Sequence, residues 1–81
     1  MISIEQIKAA RLFLGWEQGD LAEKSEVSLP TVQRIENPKY GPGRSRLEII
    51  MRIKSALEAG GIEFIDADED KGVGLRKAKP D

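Results

Sequence analysis

The segment QGDLAEKSEVSLPTVQRIE, from Gln18 to Glu36, constrains the fold more than any other part of the chain. Leu21 and Ala22 are placed to face inward from a short helix running from Gln18 to about Lys24. Glu17 stands near the positive N-terminal end of that helix, and Gly19 weakens its first turn by at most ~1 kcal/mol relative to Ala. Ser25-Glu26-Val27 then has room only for a tight turn, with Val27 as its buried plug. Ser28 caps a second helix from Leu29 to about Glu36, and Pro30 falls in the first turn, where a missing N–H is tolerated. Because Pro30 has no amide hydrogen, the Ser28 hydroxyl is expected to accept from the amide of Thr31. Val32 and Ile35, spaced i and i+3, point to the core. Leu29, Pro30, Gln33 and Arg34 are left on the outward side.

The flanking sequence supplies the remaining elements. Ser3 and Gln6 have capping-box spacing, and Ile4, Ile7, Leu12 and Leu14 give an apolar helical pattern, so a helix is expected from Ile4 to Phe13. Gly15 is its natural stop, and the single Trp, Trp16, reads as a core anchor beside the helix junction. Asn37-Pro38-Lys39-Tyr40-Gly41-Pro42-Gly43 is a loop by composition. Ser45 and Glu48 form a second capping-box pair, predicting a helix from about Arg46 to Ala59 that stops at Gly60-Gly61. Leu47, Ile50, Met51, Ile53 and Leu57 give it an apolar stripe, with Lys54 on a basic flank. The period then changes, and Ile62-Glu63-Phe64-Ile65 and Val73-Gly74-Leu75 read as two strands around the turn Asp70-Lys71-Gly72. The expected fold is mainly α, four helices with a short C-terminal β-hairpin. Residues 1–60 form the helical unit and residues 61–81 the hairpin and tail.

Composition narrows the function classes. The chain has 81 residues with no Cys and no His, enough for one small domain near the lower limit of independent folding. Without His or Cys, only Asp, Glu, Lys, Ser and Tyr remain for catalysis, and no pairing among them stands out; neither an enzyme nor a cofactor is expected. No apolar run is long enough to span a bilayer, and MISIEQIKAAR lacks a signal-peptide core, so the expectation is a soluble cytoplasmic protein without a membrane association. Net charge is −1, from 13 basic and 14 acidic residues. The charges are unevenly distributed: Asp66, Asp68, Glu69 and Asp70 cluster late, while Lys39, Arg44, Arg46, Arg52 and Lys54 follow Glu36. The acidic cluster has the alternate carboxylates of a calcium loop, but Lys71 stands where that loop needs Gly and Lys77 where it needs a bidentate Glu. A solvated hairpin loop is the reading that remains, with no metal.

Two helices joined by a tight turn, the second capped and apolar on its back, resemble the phage-repressor and Cro-like helix-turn-helix family, also called the xenobiotic-response-element family. The resemblance runs from about Ile4 to Leu57. It rests on Gln18, Leu21 and Ala22, the Val27 turn, the Ser28 cap and the Ile35-Glu36-Asn37 ending. It implies a lambda-repressor-like domain that binds double-stranded DNA, with the third helix in the major groove of an operator. By the same resemblance Gln18 contacts phosphate, and Ser28, Leu29, Pro30, Thr31, Gln33 and Arg34 occupy base- and phosphate-facing positions. Asn37 and the loop after it approach the backbone, and Lys39, Arg44 and Arg46 are phosphate candidates, with a plain solvated face as the alternative.

The chain departs from the family pattern in four places. Glu26 replaces a turn glycine and is expected to need φ > 0. Leu29 and Pro30 replace polar readers, which shifts contacts toward thymine methyls. Glu17 replaces a small capping residue. A hairpin stands where the family has a fifth helix. The near-neutral charge and the apolar Leu29-Pro30 tip leave an alternative open, an antitoxin-like or accessory protein-interaction module on the same fold. A homodimer is expected in either case, because it suits a palindromic operator and because the hairpin edges could pair with those of a second copy.

Overall fold

A computed structural model describes residues 2–79, apart from the side chain of Arg44. In order, the elements are α1 (Ile4–Phe13), α2 (Gln18–Ser25), α3 (Leu29–Ile35), a 3₁₀ turn (Pro42–Arg44), α4 (Leu47–Ala59), β1 (Ile62–Ile65) and β2 (Gly74–Lys77).

Short-range chemistry sets the helix ends. The Ser3 hydroxyl accepts from the Gln6 amide at 3.1 Å and the Gln6 side chain accepts from the Ser3 amide at 3.0 Å, so the capping box of α1 is closed from both sides. At the other end Gly15 adopts φ +70°, which lets Trp16 N–H reach the Arg11 carbonyl and Gly15 N–H the Leu12 carbonyl. The same closure ends α2, where Val27 N–H donates to Ala22 and Glu26 N–H to Glu23. There the left-handed position is held by Glu26, at φ 57° and ψ 41°, as the family's glycine at that position implied. Ser28 caps α3 through the amide of Thr31, at 3.3 Å.

Three expectations need correction. Ser45 does not cap α4: its amide closes the 3₁₀ turn onto the Pro42 carbonyl, so the helix starts one residue later, at Leu47, with Arg46 as an N-cap lacking a side-chain bond. Glu48 pairs instead with Arg52, one turn on, at 2.9 Å. Leu12 is exposed rather than inward, because the buried row of α1 is Gln6, Ile7 and Ala10. The second strand lies later than the apolar run Val73–Leu75 suggested, since Ile62 pairs with Lys77, Phe64 with Leu75 and Ile65 with Gly74.

The core joins all four helices and the hairpin. Ile7, Leu21, Val32, Ile35, Ile53 and Leu57 are fully buried, and Ile62 of β1 belongs to the same cluster. Helices of eight and seven residues, such as α2 and α3, are unstable alone in water. Burial worth roughly 1.5–3 kcal/mol per large aliphatic side chain therefore holds them in place, rather than helix propensity. The hairpin lies with β1 against α4 and β2 against α1. Gln6 ties it down, its amide nitrogen donating to the Gly74 carbonyl at 2.9 Å and more weakly to that of Ile65 at 3.4 Å.

Candidate nucleic-acid interface

Helix α3 presents its outer surface as two adjacent i, i+4 rows, Leu29–Gln33 and Pro30–Arg34, and all four residues are exposed. Its inner surface is sealed by Val32 and Ile35. The start of the helix is ordered by hydroxyls: Ser28 Oγ lies 2.7 Å from Thr31 Oγ1 in addition to capping the amide. An α-helix is about 10–12 Å across with its side chains, a diameter that a groove about 12 Å wide admits.

What fixes α3 against the rest of the molecule is a buried charge cluster. Glu36 sits just past the helix with its side chain 1% exposed. Arg11 meets it in a two-pronged pair, Nε to Oε2 at 2.9 Å and Nη2 to Oε1 at 3.0 Å. The third guanidinium nitrogen, Nη1, donates to the Trp16 carbonyl at 2.9 Å, locking the α1–α2 corner. Gln18 Nε2 adds a third donor to Glu36 Oε1 at 3.2 Å. A carboxylate only accepts, so the nitrogen end of the Gln18 amide must face it. The second Nε2 hydrogen and the Gln18 carbonyl oxygen are then left for other partners. One carboxylate thereby joins the end of α3 to the beginning of α2 and the end of α1.

These contacts bring Gln18, Leu29 and Gln33 to one shallow cleft, together with Arg11, Glu17 and Gly19. Ser28, Pro30, Thr31 and Arg34 lie on the same short helix or its cap. Glu17 is the N-cap of α2, and its amide donates to Asp20 Oδ2 at 2.8 Å. Asn37 and Lys39 follow α3 in an exposed turn, in which Asn37 Oδ1 accepts from the Lys39 amide at 2.9 Å and Lys39 Nζ stands 6.0 Å from the Tyr40 ring. Arg46 is exposed at the start of α4. The Arg44 side chain lies outside the described residues.

Sequence reasoning used Glu36 only as part of the Ile35-Glu36-Asn37 ending and did not single out Arg11 or the pair they form. The available signal was an arginine in the last turn of α1 and a glutamate directly after Ile35, opposite charges 25 positions apart with nothing local to pair them.

A family model described as helix-turn-helix matches residues 7–53, more than half of the 81-residue chain. The chain belongs to the Cro/C1-type helix-turn-helix family. Its four helices are those of a lambda-repressor-like domain, with the hairpin added after α4. A comparison with curated proteins finds no match. Family membership makes this a DNA-binding helix-turn-helix protein of the transcription-regulator class, a class distinct from enzyme families. No helix among the described residues is long and apolar enough to cross a membrane.

Proposed function

We propose that this helix-turn-helix protein is a sequence-specific transcriptional regulator that lays α3 in the major groove of an operator. The observation that carries this reading is the outward pair of rows on α3, exposed while its back is buried through Val32 and Ile35 and its end is clamped by Glu36, Arg11 and Gln18. A reader helix needs a fixed angle, because base contacts are lost when the helix rocks in the groove. Arg34 and Gln33 supply hydrogen-bonding side chains for base edges, Leu29 and Pro30 apolar contact with thymine methyls, and Ser28 and Thr31 hydroxyls for phosphate or base. Gln18, Asn37, Lys39, Arg44 and Arg46 position the protein through phosphates. Residues 1–60 form the reading unit, the hairpin of β1 and β2 follows it as a separate element, and a homodimer presents two α3 helices about 34 Å apart, one turn of DNA.

Selection of bound sites from a random duplex pool, followed by binding measured against salt, tests this. The expected result is one enriched motif and an affinity that falls steeply as salt rises. Arg34→Ala should cost ~1–3 kcal/mol at one motif position if Arg34 reads a guanine. No enriched motif, or affinity insensitive to salt, would remove operator reading. A second reading, an antitoxin-like or accessory module docking another protein, is favoured by the Leu29-Pro30 tip, since Leu29 is 41% exposed where a polar reader is usual. Loss of motif selection with retained protein binding would favour it.

A further inference from the structure

An apolar hollow lies away from α3, between α2 and α4. It has a volume of about 680 Å³ and is lined by Leu47, Met51 and the small residues Ser25, Ser55, Ala56 and Ala59, with the charged Lys24, Glu48 and Arg52 also around it. Leu47 and Met51 are 62% and 57% exposed, among the most exposed large apolar side chains of the molecule. They fall in one i, i+4 row of α4, Leu47–Met51–Ser55–Ala59, in which two large residues are followed by two small ones.

That order makes the row complementary to itself when reversed. We infer that this α4 face binds the same face of a second copy of the chain, antiparallel about a two-fold axis, with Leu47 over the partner's Ala59 and Met51 over the partner's Ser55. The knobs of each copy then fill the trough of the other, which is the self-matching a closed dimer requires. The hairpin offers no comparable match. Each of its strands is only four residues long, and Ile62, Phe64 and Leu75 already pack against the chain's own core. Gln6 also already occupies the Gly74 carbonyl. One helix face covers less than the ~800 Å² per partner of a stable complex, so the dimer is expected to dissociate in the micromolar range.

Sedimentation equilibrium of the full chain up to several hundred micromolar gives the first test. Dimer is expected, and Met51→Glu should raise the dissociation constant by at least about tenfold, with the circular-dichroism spectrum unchanged. Because the chain has no cysteine, introduced thiols report the pairing directly. Mixing Met51→Cys chains with Ser55→Cys chains and oxidising should enrich the mixed disulfide over both homodisulfides. A wild-type chain that stays monomeric overturns the inference and leaves the hollow to a different partner. It is also overturned by a dimer indifferent to Met51→Glu, by dissociation on Ile65→Lys instead, or by a statistical mixture of disulfides. Binding of one α3 to an operator half-site does not need this face, so half-site affinity separates failure of this inference from failure of the DNA-binding reading.

Discussion

Two arginine–glutamate pairs in this molecule have the same length and different surroundings. Arg11–Glu36, at the helix corner, and Arg76–Glu63, across the hairpin, both measure 2.9 Å. The first has side chains 13% and 1% exposed, the second 70% and 58%. Distance therefore says nothing about their worth. In the hairpin, water competes for both ions and salt screens them, leaving ~0–1 kcal/mol. At the corner the Glu36 carboxylate is shut off from water and depends on Arg11, which is itself mostly buried. The two regions differ in their polar contacts in the same way: the α2–α3 corner is held by a buried charge network, whereas the hairpin is held by apolar packing of Ile62, Phe64 and Leu75 and by Gln6, with its ion pair in water.

Breaking the buried pair gives the largest expected effect. Glu36→Ala strands the Arg11 guanidinium in the corner and frees both Gln18 and the end of α3. Removing one partner of a buried pair costs ~3–5 kcal/mol, a large part of the stability of a domain this small. Chemical denaturation should show the loss, and DNA binding should weaken in the fraction still folded because Gln18 is no longer oriented. A Glu36→Ala cost as small as that of Glu63→Ala would erase the distinction between the regions.

Next in size is a packing test on the other side of the corner. Gly60 closes α4 where a Cβ would come within 2.8 Å of Leu14 and 2.9 Å of the Trp16 ring. Its φ of −76° suits any residue, so the requirement for glycine here is space alone. Trp16 is held by the Lys24 ammonium 5.0 Å from its ring and by the core on its other face, so it cannot swing away freely. Gly60→Ala should cost ~1–3 kcal/mol by overpacking, with a shift in Trp16 fluorescence. An unchanged melting temperature would mean that the corner yields more readily than its hydrogen bonds suggest.

The pattern of what the sequence revealed follows from the range of each interaction. Ser3 with Gln6, and Ser28 with the Thr31 amide, span three residues, so spacing alone was enough to locate them. Glu26 in the left-handed region was legible because it stands where the resembled family has a turn glycine. The clamp was not, because Arg11 and Glu36 are brought together only by the packing of Val32, Ile35 and Leu21 between them in sequence. Ser45 misled for a related reason: its side chain had cap spacing, but Pro42 had already drawn its amide into a preceding turn. Leu12 satisfied an apolar pattern whose inward face was set one residue away, by Gln6 and Ala10. The outward residues of α3 were identifiable as a group from the inward ones, but neither sequence nor fold alone says which of them meets a base.

A third prediction has the opposite sign. Glu26 holds a left-handed conformation that costs a non-glycine residue ~1–2 kcal/mol, against ~0.5–1 kcal/mol of extra chain entropy that glycine surrenders on folding. Arg52 reaches this turn through the Glu26 backbone carbonyl, at 3.3 Å, so the contact survives side-chain removal. Glu26→Gly should therefore stabilise the domain by up to ~1 kcal/mol, read as a rise in melting temperature. A fall would mean that the Glu26 carboxylate contributes something the backbone geometry does not account for.

The smallest effects belong to the hairpin. Glu63→Ala should change stability by no more than ~0.5 kcal/mol, and raising salt should shrink even that. Within the same hairpin, the amides of Asp70 and Lys71 donate to Asp68 Oδ1 at 2.9 and 2.7 Å, holding its carboxyl below the usual carboxylate range. A lowered folded value means that the charged form is favoured by folding. The contribution is complete above the ordinary carboxylate value of ~3.9 and disappears as pH falls through the lowered one. Asp68 is fully solvent-exposed, so the effect is slight. The gap in melting temperature between the wild type and Asp68→Asn should be small and constant from neutral pH down to about pH 5, then close on further acidification. A gap that widened instead would show the Asp68 carboxylate opposing the turn, and the hairpin loop would owe its shape to Gly72 and the strand pairing alone.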